Sequence, residues 1–335
     1  MSILIDAFSK EKLLACKGYN TLFIDKNIPV NHESIVPTSE REKYPEVEGN
    51  KKGLLHYSDL TVLYNSDRKV PFVSAYNIDG TDKQKVSRTS FRPEPRIKTA
   101  LQLDNAFYDL RKDGPTEFEI GHMAANNEMA WGTDAQLRAY RTFFFTNSVP
   151  QAEVLNTGIW KSLESYIITE AAAPSKNKKI AVFTGPVLKS NDPQYIEDKR
   201  FQIPLLFYKV VVFPTTKGLF STGFVMSHQR RLEEMKMFAK TYKIEKAMVA
   251  KEPFTDFQYK TVFQMDMGAL EELTGLNFKW KGVQRLKVPN DMNQVKKIRK
   301  VRDSKDAKDA IKKTEKMFLP RSSTQAPALT MILPS

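Results

Sequence analysis

Cysteine is almost missing: Cys16 is the only one in 335 residues. An internal disulfide is therefore excluded, and a cysteine-based zinc site or an iron–sulfur cluster has no ligands. No apolar run reaches the length that spans a bilayer. The opening stretch, MSILIDAFSKEKLLACKGYN, has no long apolar region behind basic residues, so no secretory signal peptide is expected. The expectation is a soluble chain made in the cytoplasm, with delivery elsewhere by a signal-independent route left open. P-loop, G-x-G-x-x-G and G-x-S-x-G patterns are all missing, which argues against nucleotide hydrolases, Rossmann oxidoreductases and α/β-hydrolases. Histidine is scarce as well, with four in the chain.

What is present is a globular composition, 41% hydrophobic and 27% charged. There are 52 basic against 39 acidic residues, a net charge of +13 that suits a polyanionic partner. The excess is uneven. Residues 282–335 carry thirteen Lys and Arg against five acids, so most of the surplus lies at the C-terminal end. That segment reads as nucleic-acid contact, as a targeting or docking segment, or as a solvated tail.

Residues 1–50 suggest a short helix and then loop. LTVLYN (60–65) and VPFVSAYNIDG (70–80), parted by the polar SDRK, predict a β-hairpin. SFRPEPRIK (90–98) is too proline-rich for regular structure. A short helix is predicted at 135–141, and FFFTNSVPQ (143–151) as a strand running into a turn at Pro150. Residues 153–169 are predicted helical, with Leu155, Ile159, Leu163 and Tyr166 on one stripe. Strands are predicted at 179–188, at 203–214 (a buried apolar run) and at 218–227. A helix in MGALEELTGLNF should end at Gly275.

Chemistry concentrates in EIGHMAANNEMAWG (119–132) and the segment after it. On a helix, Asn156, Trp160 and Glu164 at i, i+4 and i+8 share a face. An amide oxygen and a carboxylate there can place a hard cation: Mg²⁺ keeps several waters and needs few protein ligands. His122 nearby can take a proton from a water attacking phosphorus. From spacing alone, a single histidine beside a glycine is more often structural, and His122 reads first as a histidine buried in a core turn. His56 and His228 have no paired acid and read as structural or surface, and His32 as an inert loop residue. Asp79 reads as a turn residue, and Asp266, Glu271 and Glu272 as helix N-terminal charge. Trp160 reads as buried rather than as a base-stacking platform.

The joint pattern Gly121-His122, Thr146-Asn147 with Pro150-Gln151, and Asn156, Trp160, Leu163-Glu164 resembles the DNA/RNA non-specific endonucleases, the ββα-metal nucleases that include the Serratia type and mitochondrial endonuclease G. AYNIDG (75–80), RPEPRI (92–97), VFTGPVL (182–188), IPLLFYKVVV (203–212) and ELTGLNF (272–278) resemble further landmarks, so the likeness spans roughly 55–281. It implies His122 as general base and Asn156 as direct metal ligand. It also implies Glu164 holding metal-bound water, Asn147 supporting the histidine, and Arg88 or Arg92 on the scissile phosphate. One departure stands out: Glu119-Ile120 occupies the place of the family's Asp-Arg.

The resulting expectation is an α+β fold: an antiparallel central sheet with flanking helices and a ββα-metal motif. The expected division is an N-terminal extension (1–54), a nuclease domain (55–281) and a basic C-terminal extension (282–335). The expected activity is Mg²⁺- or Mn²⁺-dependent hydrolysis of phosphodiester bonds in DNA, and in RNA as a second substrate, with little base specificity. The alternatives are a catalytically weakened nucleic-acid-binding protein, kept open by Ile120, and a partner-binding protein on a retired nuclease fold. An unspecific nuclease endangers its own cell, so confinement, delivery elsewhere or an inhibitor protein is expected. A homodimer is compatible with the sequence.

Overall fold

Strands buried along nearly their whole length build the centre of the molecule. The computed structural model describes residues 3–110, 118–153, 155–156, 160–172, 179–237, 262–287 and 298–301. Strands β1 (Leu54–His56), β2 (Leu60–Asn65), β3 (Val70–Asp79), β6 (Lys179–Val187), β7 (Leu206–Thr215), β8 (Gly218–Ser227), β9 (Val262–Met265) and β11 (Ile298–Val301) lie side by side in that order. Every neighbouring pair is antiparallel, and β10 (Val283–Arg285) joins the start of β8 in parallel. β4 (Phe118–His122) and β5 (Ser148–Ala152) form a separate two-stranded antiparallel ribbon. The fold is α+β, a large antiparallel sheet with flanking helices.

The sheet is buried on both faces. Along β7, Phe207, Val211 and Phe213 enter one core with Trp160, Leu163, Phe118 and Phe144. Tyr208, Val210 and Val212 enter the other, with Leu270 and Leu273 of a helix spanning Met267–Thr274. Each such large side chain taken from water contributes roughly 1.5–3 kcal/mol. The N-terminal segment joins in: Leu13 packs on the first face, and Tyr19, Val30 and Ile35 on the second. Trp280 Nε1 donates to the Asn31 carbonyl at 2.8 Å, tying the two ends of the second layer together.

The helices are short. α1 (Ile3–Phe8), α2 (Lys10–Leu14), α3 (Asn105–Tyr108), α4 (Ala135–Tyr140), α5 (Lys161–Ala172), α6 (Gln229–Glu234) and α7 (Met267–Thr274) flank the sheet. Asp266 caps α7, its carboxylate accepting from Gly268 N at 2.9 Å. Gly275 ends it with φ 71°, a left-handed conformation that favours glycine. Among the described residues no helix is long and apolar enough to cross a membrane.

Most expected elements form. The 60–65/70–79 hairpin, the strand at 218–227 and the α7 stop fall where the sequence put them. Two expectations are corrected. The segment 143–151 is not one strand: a 3₁₀ turn occupies Phe145–Asn147, and the strand runs Ser148–Ala152 with Pro150 inside it, opposite Ile120. A two-stranded ribbon leaves an unpaired outer edge, where a missing N–H costs little. The helix predicted over 153–169 begins irregularly: Leu155, Asn156 and Trp160 have π-helical hydrogen bonding, and the continuous α-helix runs Lys161–Ala172. Trp160 is buried as expected, edge-on against Phe207 with ring centres 5.9 Å apart. Much of the basic tail (288–297 and 302–335) lies outside the described residues.

Candidate active site

The β4–β5 ribbon followed by α5 gives a ββα unit on one face of the sheet. Register pairs Glu119 with Gln151, Gly121 with Val149 and His122 with Ser148. Glycine is needed at 121 because a Cβ there would run into the buried Gln151 side chain. The ribbon, the start of α5 and the loop carrying Arg88 enclose a cavity of about 530 Å³ lined by His122, Asn156, Glu164, Glu119, Ile120 and Arg88, among others.

His122 ends β4 and is 7% exposed. Its ring sits against Phe91 (centres 4.5 Å apart) and perpendicular to Phe143 (4.6 Å). Nε2 is buried with no hydrogen-bond partner among the described residues. Burial first, and the nearby Arg88 cation second, hold its pKa down to about 3, so the imidazole is neutral at pH 7.

Asn156 is oriented by Glu119. Its Nδ2 donates to Glu119 Oε2 at 2.7 Å. A carboxylate accepts and does not donate, so the amide nitrogen must face it, and the Asn156 carbonyl oxygen is left for another partner. The Glu164 carboxyl is pushed above the usual carboxylate range, chiefly by burial and further by the Glu128 charge, with Lys209 opposing. This oxygen-only set fits a hard divalent cation that keeps most of its waters. Among the described residues no group of three His, Cys, Asp or Glu gathers as a closed metal cage, so a fully protein-ligated site is not built there.

The other expected residues fall in different places. Arg88 borders the cavity, its Nη1 reaching Asn126 Oδ1 at 3.5 Å and its guanidinium 5.4 Å from the Phe143 ring. Arg92 lies apart, 4.6 Å over the Phe8 ring, with its backbone bridged to Phe143 and Phe145. Asn147 is fully buried away from the cavity and ties four groups together. Its Oδ1 accepts from Ser74 Oγ (2.8 Å) and Ala124 N (3.1 Å); its Nδ2 donates to Ala124 O (2.9 Å) and Thr142 O (3.0 Å). It thus pins the chain two residues beyond His122. His228 is structural: Ala152 N donates to its Nδ1 at 3.1 Å and its Nε2 meets the Pro204 carbonyl at 2.7 Å.

Sequence reasoning missed Glu119 as the residue that orients Asn156, and it missed the buried ion pair Lys209–Glu128 beneath the site, at 3.0 Å with neither side chain exposed. The signal for the pair was available. A single lysine stands inside the apolar run IPLLFYKVVVF, and a lysine in a fully buried strand requires an acid nearby.

Residues 38–285 match the DNA/RNA non-specific endonuclease family, and the chain belongs to that family. It is 25% identical over 206 residues to the mitochondrial nuclease EXOG of Danio rerio, an alignment covering 54% of this chain. The chain spans 55% of that relative's length. It is also similar to a solved structure, the crystal structure of the EndoG/EndoGI complex, with TM-score 0.48 and 20% identity over 67% of this chain and 84% of the other.

Proposed function

We propose that this chain is a metal-dependent endonuclease that hydrolyses phosphodiester bonds in DNA, and RNA as a second substrate, with little base specificity. The observation that carries the reading is that His122, Asn156, Glu164 and Arg88, from separate parts of the chain, line one cavity. Family membership supports the nucleic-acid substrate.

In this reading neutral His122 takes the proton of the attacking water. Burial chiefly, and the Arg88 cation second, keep its basicity low; a phosphate arriving at Arg88 offsets only the second of these. Arg88 holds a phosphate oxygen. Asn156, steered by Glu119, would hold the metal through its free carbonyl oxygen, with Glu164 beside it on the cavity wall. Bound Mg²⁺ or Mn²⁺ supplies charge stabilisation at the phosphate and the departing oxygen. Low base specificity follows in this reading because Arg88 and the metal would meet the phosphate backbone, which carries no sequence information.

A second reading, a nucleic-acid-binding protein with weakened catalysis, rests on Ile120, which lines the cavity where the family pattern has arginine. One assay separates the two: cleavage of plasmid DNA and single-stranded RNA with Mg²⁺ or Mn²⁺, with EDTA, and with His122→Ala. The nuclease reading expects metal-dependent cutting that falls by about 10²–10⁴-fold in the variant. Salt-sensitive binding with no cutting under either metal would favour the binding protein.

A further inference from the structure

The buried Lys209–Glu128 pair lies where both arms of the site meet. Strand alternation puts Lys209 on the site-facing side of β7, between Phe207 and Val211. Its ammonium donates to Tyr76 Oη at 2.9 Å and to both Glu128 oxygens at 3.0 and 3.1 Å. Glu128 Oε2 also accepts from Tyr76 Oη (2.7 Å) and from Ala125 N (3.2 Å). Ala125 and Asn126, in the turn held by that carboxylate, line the cavity. On its other side the ammonium lies 5.1 Å from the Trp160 ring, between Asn156 and Glu164 in the chain. One cation therefore touches the turn that follows His122 and the start of the segment that carries the two oxygen ligands.

Stability does not account for this arrangement. Burying two charges costs as much as their attraction returns, and apolar residues of similar volume serve a core equally well or better. We propose that Lys209 and Glu128 are positioning residues. They lock the 125–128 turn to Trp160, and so set the spacing between His122 on one arm and Asn156 with Glu164 on the other. The inference rests on the nuclease reading for its chemistry, but the spacing it concerns can also be read through metal affinity.

The test uses the full chain with two variants, Glu128→Gln/Lys209→Met, which removes both charges, and Glu128→Asp, which keeps them but draws the carboxylate back. Thermal melting, steady-state plasmid cleavage and Mn²⁺ affinity by titration calorimetry are measured on each. The double variant is expected to melt at or above the wild-type temperature, with kcat reduced at least tenfold, KM within twofold and Mn²⁺ affinity reduced at least fivefold. Glu128→Asp is expected to shift kcat and Mn²⁺ affinity in the same direction while remaining folded. If the double variant fails to fold, Glu128→Asp alone decides. Wild-type kcat and Mn²⁺ affinity in a folded variant overturn the proposal. A wild-type protein that binds Mn²⁺ but cuts nothing overturns the nuclease reading instead, and the affinity comparison still judges the pair.

Discussion

Asn147→Ala separates support of the site from the chemistry itself. The side chain makes four buried hydrogen bonds, to Ser74 Oγ, Ala124 N, Ala124 O and Thr142 O, between 2.8 and 3.1 Å. Alanine leaves these partners buried and without Asn147. At about 1 kcal/mol net for each bond the loss is about 4 kcal/mol. For a chain of this size that corresponds to a fall in Tm of roughly 6 °C. Two of the bonds fix Ala124, two residues past His122, so the base loses its placement as well. The expected outcome is a lower melting temperature by calorimetry and, well below that temperature, a kcat per folded molecule at least tenfold down with KM little changed. A Tm within 2 °C of wild type, on the same stability scale, would refute the hydrogen-bond accounting. A normal kcat per folded molecule would refute the link from Asn147 to His122.

Arg88→Ala, beside the cavity, should raise KM and lower kcat, whereas Arg92→Ala, whose guanidinium covers Phe8, should lower Tm and leave the kinetics per folded molecule alone; equal kinetic losses would sink the distinction. Gly121→Ala forces a methyl into the Gln151 side chain and should cost about 1–3 kcal/mol of overpacking, read as a drop in the urea midpoint. Burial lowers the pKa of both His32 and His228 to about 4, so the fold favours their neutral forms. Their stabilisation is complete above the unfolded value near 6.5 and is lost as pH falls toward 4, by roughly 3 kcal/mol for His228 at pH 4. Tm should therefore decline across that window, and His228→Gln should flatten the decline; an unchanged slope would count against it.

Elements whose limits are written locally could be read from the residues. SDRK turns one hairpin, and Gly275 stops α7 at a left-handed residue. Ser148–Ala152 was misplaced because its strand character comes from pairing with Phe118–His122, about thirty residues away, and a proline inside it argues locally for a turn. The π-helical start of the segment carrying Asn156 has no residue-level signature, so the residues alone predict a regular helix from 153. The pattern around His122 gave which residues to watch but not which would meet. Arg88 and Arg92 are alike as sequence and differ only once Phe8 covers one of them.

The sheet register has a consequence for how the chain is assembled during synthesis. β3 is central, yet its second partner is β6, and Asp79 pairs with Lys179 about a hundred residues later. The whole ββα unit is spliced into that gap. At 5–20 residues per second, the β3 edge waits roughly 5–20 s on the ribosome before β6 exists. Closing so long a loop also makes the joining of the two halves slow compared with the hairpin that precedes it. During the wait VPFVSAYNID presents an unpaired, largely apolar edge, the kind of surface other chains and holdase chaperones engage. The insertion that holds the candidate catalytic groups is thus also what delays closure of the sheet beneath them.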